Sequence, residues 1–356
     1  MKKFKLSIPR TAVISLLAIL LGLLAGAVLM LLTGKDPVMG YVYLFKGGLM
    51  NIKRIGDTLA TATALIFTGL SFAFAFRTGL FNIGSPGQFL MGGLFAIMIG
   101  LSFPLSQPVL LPFILVGSAL AGGLWGAVSG LLKARFNVHE VVSGIMLNWT
   151  AYWIVYYIVP WYFKGDYVET ESRRISDNAS LKVQWLTDLF NGSYINLGLF
   201  IAILAAIIIA FILNRTTLGF ELKSVGYNRH ASEYAGMLVN KNMILAMAIA
   251  GALSGLAGAV YHVGYTNTIK IGVMPAQGFD GIAVSLLGAN SPVGVVAASI
   301  FFGILYTGKG FMNANAKIPP EIADTIIATI IYFAATSVFI DRLLDRLKRK
   351  KKGVKS

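Results

Sequence analysis

Cysteine is absent from the 356 residues, which excludes disulfides, thiolate metal sites and a cysteine nucleophile. Histidine is nearly absent, with three copies at 139, 230 and 262. No pair has the close helical spacing of a zinc motif, so each is expected to be a polar side chain at the end of an apolar run. Charge is also scarce, at 13% of residues against about 25% in an ordinary soluble domain. What fills the chain instead is apolar: 56% of residues are hydrophobic and the mean hydropathy is +0.73. Runs of about 20 such residues recur from end to end, enough to cross ~30 Å of hydrocarbon. A soluble globular protein is thereby excluded, and the composition predicts an all-α polytopic membrane protein with a single domain over residues 1–356.

The net charge of +15 does not point to nucleic acid, because the basic residues sit between the apolar runs and in the two tails. Lys2, Lys3, Lys5 and Arg10 precede an apolar run over 11–32. A signal peptide ending at Ala25-Gly-Ala27 would have an apolar core of about 7–15 residues. This run continues past Ala27, so it is read as a retained first span. Further spans are expected at about 57–76, 80–100, 109–132, 139–160, 195–213, 242–264, 276–290, 292–311 and 321–340, within a few residues at each end. The 276–290 segment is short and glycine-rich, which suits a broken or re-entrant helix surrounded by protein.

About ten spans place both termini on one side. Nineteen of the thirty Lys and Arg then fall on that side, which the positive-inside rule identifies as cytoplasmic. The opposite loops hold Asp166, Glu169, Glu171, Asp177 and Asp188. Two polar stretches stand out: residues 161–194, expected outside, and 214–241, expected inside. The tail over 341–356 reads as a basic cytoplasmic anchor that touches anionic lipid.

Catalysis inside a membrane needs an ionisable cluster, since such groups are costly in lipid. The expected spans are almost free of charge; Glu140, Asp280 and Asp324 all fall near span ends. Gly303-Ile-Leu-Tyr-Thr-Gly308-Lys309-Gly310 nearly matches a phosphate loop, but Gly310 stands where the magnesium-binding hydroxyl belongs, and the segment ends an apolar run. Neither catalysis nor ATP hydrolysis by this chain is expected. Glycines spaced by four, at 22 and 26, at 122, 126 and 130, and at 251 and 255, predict close helix packing within the chain.

Three segments are candidates for function. Phe81-Asn82-Ile83-Gly84-Ser85-Pro86-Gly87-Gln88 breaks a span with two amides, two glycines and a proline, a pattern suited equally to a polar path and to a structural turn. Asn148 and Trp149 place an amide and a flat ring in mid-span. Residues 219–236 predict a short surface helix, with Asn228 capping its start, Glu233 one turn on and Gly236 at a left-handed stop. Held between two spans, such a helix can pass motion from a cytoplasmic protein into the bundle.

Together FNIGSPGQF at 81–89, EVVSGIMLNW at 140–149, GFELKSVGYNRHASEYAG at 219–236 and GFDGIAVSLLGANSPVGVV at 278–296 resemble permeases of the branched-chain amino acid and ribose type of ATP-binding cassette (ABC) importer. Within that group the likeness is nearest to the nucleoside importers. The resemblance implies that the inside loop couples to an ATPase, with Gly226, Asn228, Arg229, Glu233, Ala235 and Gly236 as the candidate residues. It implies a second permease, different from this one in sequence so that the two form a heterodimer, an ATP-binding cassette subunit that uses ATP and Mg, and an extracellular substrate-binding lipoprotein. This chain itself is expected to bind no cofactor and to lie in the cell membrane. Asn82, Gln88, Asn148, Trp149, Phe279 and Asp280 are the expected solute-path residues. Import of a simple sugar or a branched-chain amino acid is the alternative on the same architecture, and a secondary transporter is a third reading.

Overall fold

The computed structural model describes residues 10–336. The tail at 341–356, the lysines at 2, 3 and 5 and the last residues of the span expected at 321–340 lie outside the described residues. The chain forms α1 (Arg10–Leu32), α2 (Pro37–Leu49), α3 (Ile52–Arg77), α4 (Ser85–Ser102), α5 (Gln107–Phe136), α6 (Glu140–Tyr162) and α7 (Gln184–Leu189). It continues with α8 (Gly198–Arg215), α9 (Thr217–Tyr227), α10 (Arg229–Tyr234), α11 (Val239–Tyr261), α12 (Ala276–Leu287), α13 (Pro292–Ala316) and α14 (Pro320–Ala335). Eight of these are long and apolar enough to cross a membrane: α1, α3, α4, α5, α6, α8, α11 with its extension to Thr266, and α13. The shorter α12 and α14 stand at the two remaining positions where spans are expected.

Local chemistry sets the boundaries. Asn51 caps α3 by accepting the Arg54 amide at 2.9 Å, and Ser291 caps α13 by accepting that of Gly294 at 3.1 Å. Pro292 follows at the first helical position, where its missing N–H costs nothing. The 12 residues of α12 rise only about 18 Å, a half-span. It ends in a turn in which Ala289 and Asn290 both take the left-handed conformation, φ 52 and 51.

One element was not foreseen. Residues 33–56 read as a polar loop, yet α2 occupies Pro37–Leu49, capped by Asp36. It is too short to register as a span and carries Lys46, but its glycines bed it on α13. A Cβ on Gly308 would sit 1.9 Å from the Leu44 carbonyl, so Gly308 and its neighbours serve packing within a continuous helix, and the near-match to a phosphate loop has no loop geometry.

The glycine stripes pack inside the chain. At the crossing of α5 and α11, a Cβ on Gly126 would come within 2.4 Å of the Met247 carbonyl and one on Gly255 within 2.3 Å of that of Ser118. Gly22 and Gly26 meet Ile330 and Ile326 of α14. Around this frame α3 is the central helix, buried along most of its length by α8, α11, α12 and α13.

Candidate functional site

Three of the amide and polar candidates form one buried network. After Arg77 the chain turns through Gly79, φ 72, into α4. Asn82 and Gln88 exchange two amide hydrogen bonds, both 2.8 Å, and Asn82 Nδ2 also donates to Ser71 Oγ at 2.9 Å. Ser71 in turn accepts from Ser254 and donates to the Ala250 carbonyl, tying α3 to α11. Asn148 accepts the Gly87 amide at 2.8 Å and donates to the Ile83 carbonyl at 2.9 Å. A side chain on Gly87 would strike that Asn148 oxygen. All three amides are buried and bonded within the chain, so the network clamps α3, α4, α6 and α11 together at the 81–88 break.

The remaining candidates separate. Trp149 is 52% exposed on α6, among an aromatic series with Tyr152 and Trp153, and Phe279 is 42% exposed. Asp280, the next residue, faces inward and lines a cavity of about 650 Å³ between α3, α11, α12 and α13.

That cavity is built of tyrosine and a few polar groups. Tyr261 and Tyr265, one turn apart where α11 widens into a π-helical turn at His262–Thr266, stack with ring centres 5.6 Å apart. Tyr194 stands 5.1 Å from Tyr265. Opposite them, Gln277 stands beside Tyr261, and the Tyr306 hydroxyl stands beside the Asp280 carboxylate. Lys309 pairs with Asp324 at 3.0 Å and lies 5.5 Å from the Tyr306 ring centre. The Tyr194 amide donates to Asp57 at 3.0 Å, which fixes the roof of the cavity to α3.

The roof belongs to the long polar loop. Residues 163–197 lie along 263–271 through backbone hydrogen bonds, Leu181 to Val263 at 3.0 Å, Ile175 to Asn267 at 3.1 Å and Ser172 to Ile269 at 2.9 Å. A second cavity of about 770 Å³ opens above them, with Arg173, Arg174, Lys182 and Lys270 in its wall, and shares Tyr194 and Tyr265 with the first. Lys182 lies 4.8 Å from the Tyr194 ring centre. Burial, and then the nearby Arg174 charge, hold its ammonium below the ordinary lysine range.

At the opposite end of the bundle, residues 217–234 form two helices with a break at Asn228, whose side chain accepts the Ala231 amide at 3.1 Å. Gly236 ends the second helix at φ 82. Arg229 is partly exposed, and Glu233, Ala235 and Gly236 are exposed beside Tyr234. The first helix rests on the core: a Cβ on Gly226 would lie 2.3 Å from the Arg77 carbonyl. The Arg77 guanidinium donates to the Asn290 carbonyl at 2.8 Å, and Ser285 of α12 donates to the Asn290 side chain at 2.7 Å. A chain of contacts therefore runs from α9 to the turn below α12, the helix that carries Gln277 and Asp280.

Sequence reasoning found Asp280 but missed the tyrosines, which come from the long loop, the π turn and α13. Their only linear signal is the Tyr-His-Val-Gly-Tyr run at 261–265.

Residues 54–335 match the family described as branched-chain amino acid transport system, permease component. The chain is 43% identical to the guanosine ABC transporter permease NupP of Bacillus subtilis, over 95% of this chain and 97% of that one. It is 40% identical to the nucleoside ABC transporter permease NupB of Lactococcus lactis, over 98% and 99%. The glucose ABC transporter permease TsgB13 of Haloferax volcanii is 29% identical over 92% and 87%. The same Bacillus and Lactococcus strains each supply a second, more distant relative, NupQ at 28% and NupC at 24%. No solved structure matches the chain. With eight membrane-length helices and a family match over four-fifths of its residues, the chain belongs to the permease-component family of branched-chain amino acid transport systems, as a multi-pass, non-enzymatic ABC permease subunit of the cell membrane.

Proposed function

We propose that this permease subunit moves nucleosides into the cell by alternating access, powered by ATP and Mg at a separate cassette subunit. The observation that carries the substrate is the tyrosine-lined cavity with Gln277 and Asp280 in its wall. Flat rings suit a base, and a carboxylate and an amide suit hydroxyl groups; the relatives NupP and NupB are named for guanosine and nucleosides. A second permease subunit accompanies this one, in keeping with the paired relatives NupP with NupQ and NupB with NupC. Both termini lie in the cytoplasm, so the cavity and its loop roof face outward, where a substrate-binding lipoprotein delivers solute.

Coupling enters at the other end. Gly226, Asn228, Arg229, Glu233, Ala235 and Gly236 belong to the helix pair that the ATPase pushes. The contact of Gly226 on the Arg77 carbonyl, and of Arg77 on Asn290, carries the displacement to α12 and so to Asp280. The clamp of Asn82, Gln88 and Asn148 keeps the broken end of α4 rigid while α12 moves beside it.

A sugar is the second reading, favoured by the glucose permease relative. Uptake of radiolabelled uridine and guanosine, with and without the gene, decides between them. Loss of nucleoside uptake that unlabelled ribose and leucine fail to compete is expected; unchanged nucleoside uptake with lost sugar uptake overturns the nucleoside reading.

A further inference from the structure

We infer that Asp280 is a specificity residue that reads the ribose of the solute, while the tyrosine wall accepts any base. This rests on the nucleoside reading above. Asp280 presents an acceptor-only carboxylate to the cavity, with the Tyr306 hydroxyl beside it in the same wall. The carboxylate lone pairs match two adjacent hydroxyl donors, which the 2′ and 3′ positions of ribose supply and a base alone does not. Next to it on α13, Thr307 lines the same cavity with a buried hydroxyl that has no hydrogen-bond partner among the described residues.

Spacing supports the division. Gln277 and Asp280 are three residues apart on α12, about one helical turn, so they stand roughly 5 Å apart along the cavity. Gln277 lies beside Tyr261 at the aromatic end, and a base lying against Tyr261 and Tyr265 brings its sugar one turn further, to Asp280. Stacking tolerates every base because every base has a π face. Hydrogen bonding to a charged acceptor does not tolerate loss of the donors.

The native chain contains no cysteine, which makes a direct test available. Ala276 is exposed at the cavity wall, so Ala276→Cys is labelled there by a methanethiosulfonate reagent in the purified complex without ATP or binding protein. At the uridine concentration that halves the labelling rate, 2′,3′-dideoxyuridine and uracil are expected to leave the rate nearly unchanged, because loss of a charge-assisted contact weakens binding by about tenfold. Adding Asp280→Asn should abolish uridine protection and keep the unprotected labelling rate. Equal protection by uridine and dideoxyuridine in Ala276→Cys alone overturns the inference, with no dependence on the folding of the second variant, as does retained uridine protection in Asp280→Asn. Nucleoside uptake that survives deletion of the gene refutes the nucleoside reading instead, so the two failures are distinct.

Discussion

Asn82, Gln88 and Asn148 illustrate how a polar side chain in a membrane span can be structural. Each was recognisable in the sequence as an amide placed where amides are costly, and each is buried with both its polar atoms hydrogen-bonded within the chain. Their identities were legible, and a structural turn was one of the two readings of 81–88; the partners were not, because Ser71 and Ser254 carry no linear signal. Replacing Gln88 by Leu leaves the Asn82 side-chain oxygen without a donor in the core, while its amide group keeps Ser71, so it should cost about 1–3 kcal/mol of stability, read as a lower thermal midpoint in detergent. Trp149→Leu, on an exposed face, should change stability by less than about 0.5 kcal/mol. A Gln88→Leu protein as stable as the wild type would contradict the clamp. Asp280 differs from these amides in facing open space, and its test is the ribose discrimination set out above.

Of α9 and α10 the second was legible, since its cap at Asn228 and its glycine stop at Gly236 are local chemistry, whereas the single helix expected over 219–236 is two, broken at Asn228. The half-span α12 was legible too, from its length and its glycines. The helix α2 was hidden, because thirteen residues with a lysine carry no span signal and its glycine contacts with α13 join residues far apart in the chain. Function at this level depends on contact. Gly226→Val drives its side chain into the Arg77 carbonyl and lifts α9 from the bundle, so uptake per molecule should fall by at least about tenfold while membrane level is retained. Gly236→Val has free space but forces an L side chain into left-handed backbone, at about 1–2 kcal/mol; with Glu233→Ala it should also lower uptake without loss of expression. Immunoblot and initial uptake rate, measured on the same cells, check all three. Normal uptake in Gly226→Val would break the proposed link from α9 to α12.

For the bundle as a whole, composition alone identified the class, and hydropathy placed ten helices at the ten expected positions. What linear patterns could not reveal was the cavity, which joins residues from α3, the 163–197 loop, α11, α12 and α13. Orientation rests on the basic residues, and two tyrosines offer a check because both are 99% exposed, at opposite ends. An impermeant thiol reagent added to whole cells should label Tyr167→Cys and leave Tyr234→Cys untouched until the membrane is opened. The reverse pattern would invert the bundle and put the cavity on the cytoplasmic side.

The most direct measurement of nucleoside import driven by ATP uses proteoliposomes holding this chain, its second permease and the cassette ATPase. The binding protein is added outside and radiolabelled uridine is followed inward. Accumulation that requires ATP at the cytoplasmic face and survives collapse of all ion gradients is the predicted result. Accumulation without ATP that vanishes when an ionophore is added would contradict the account and make the chain a secondary transporter.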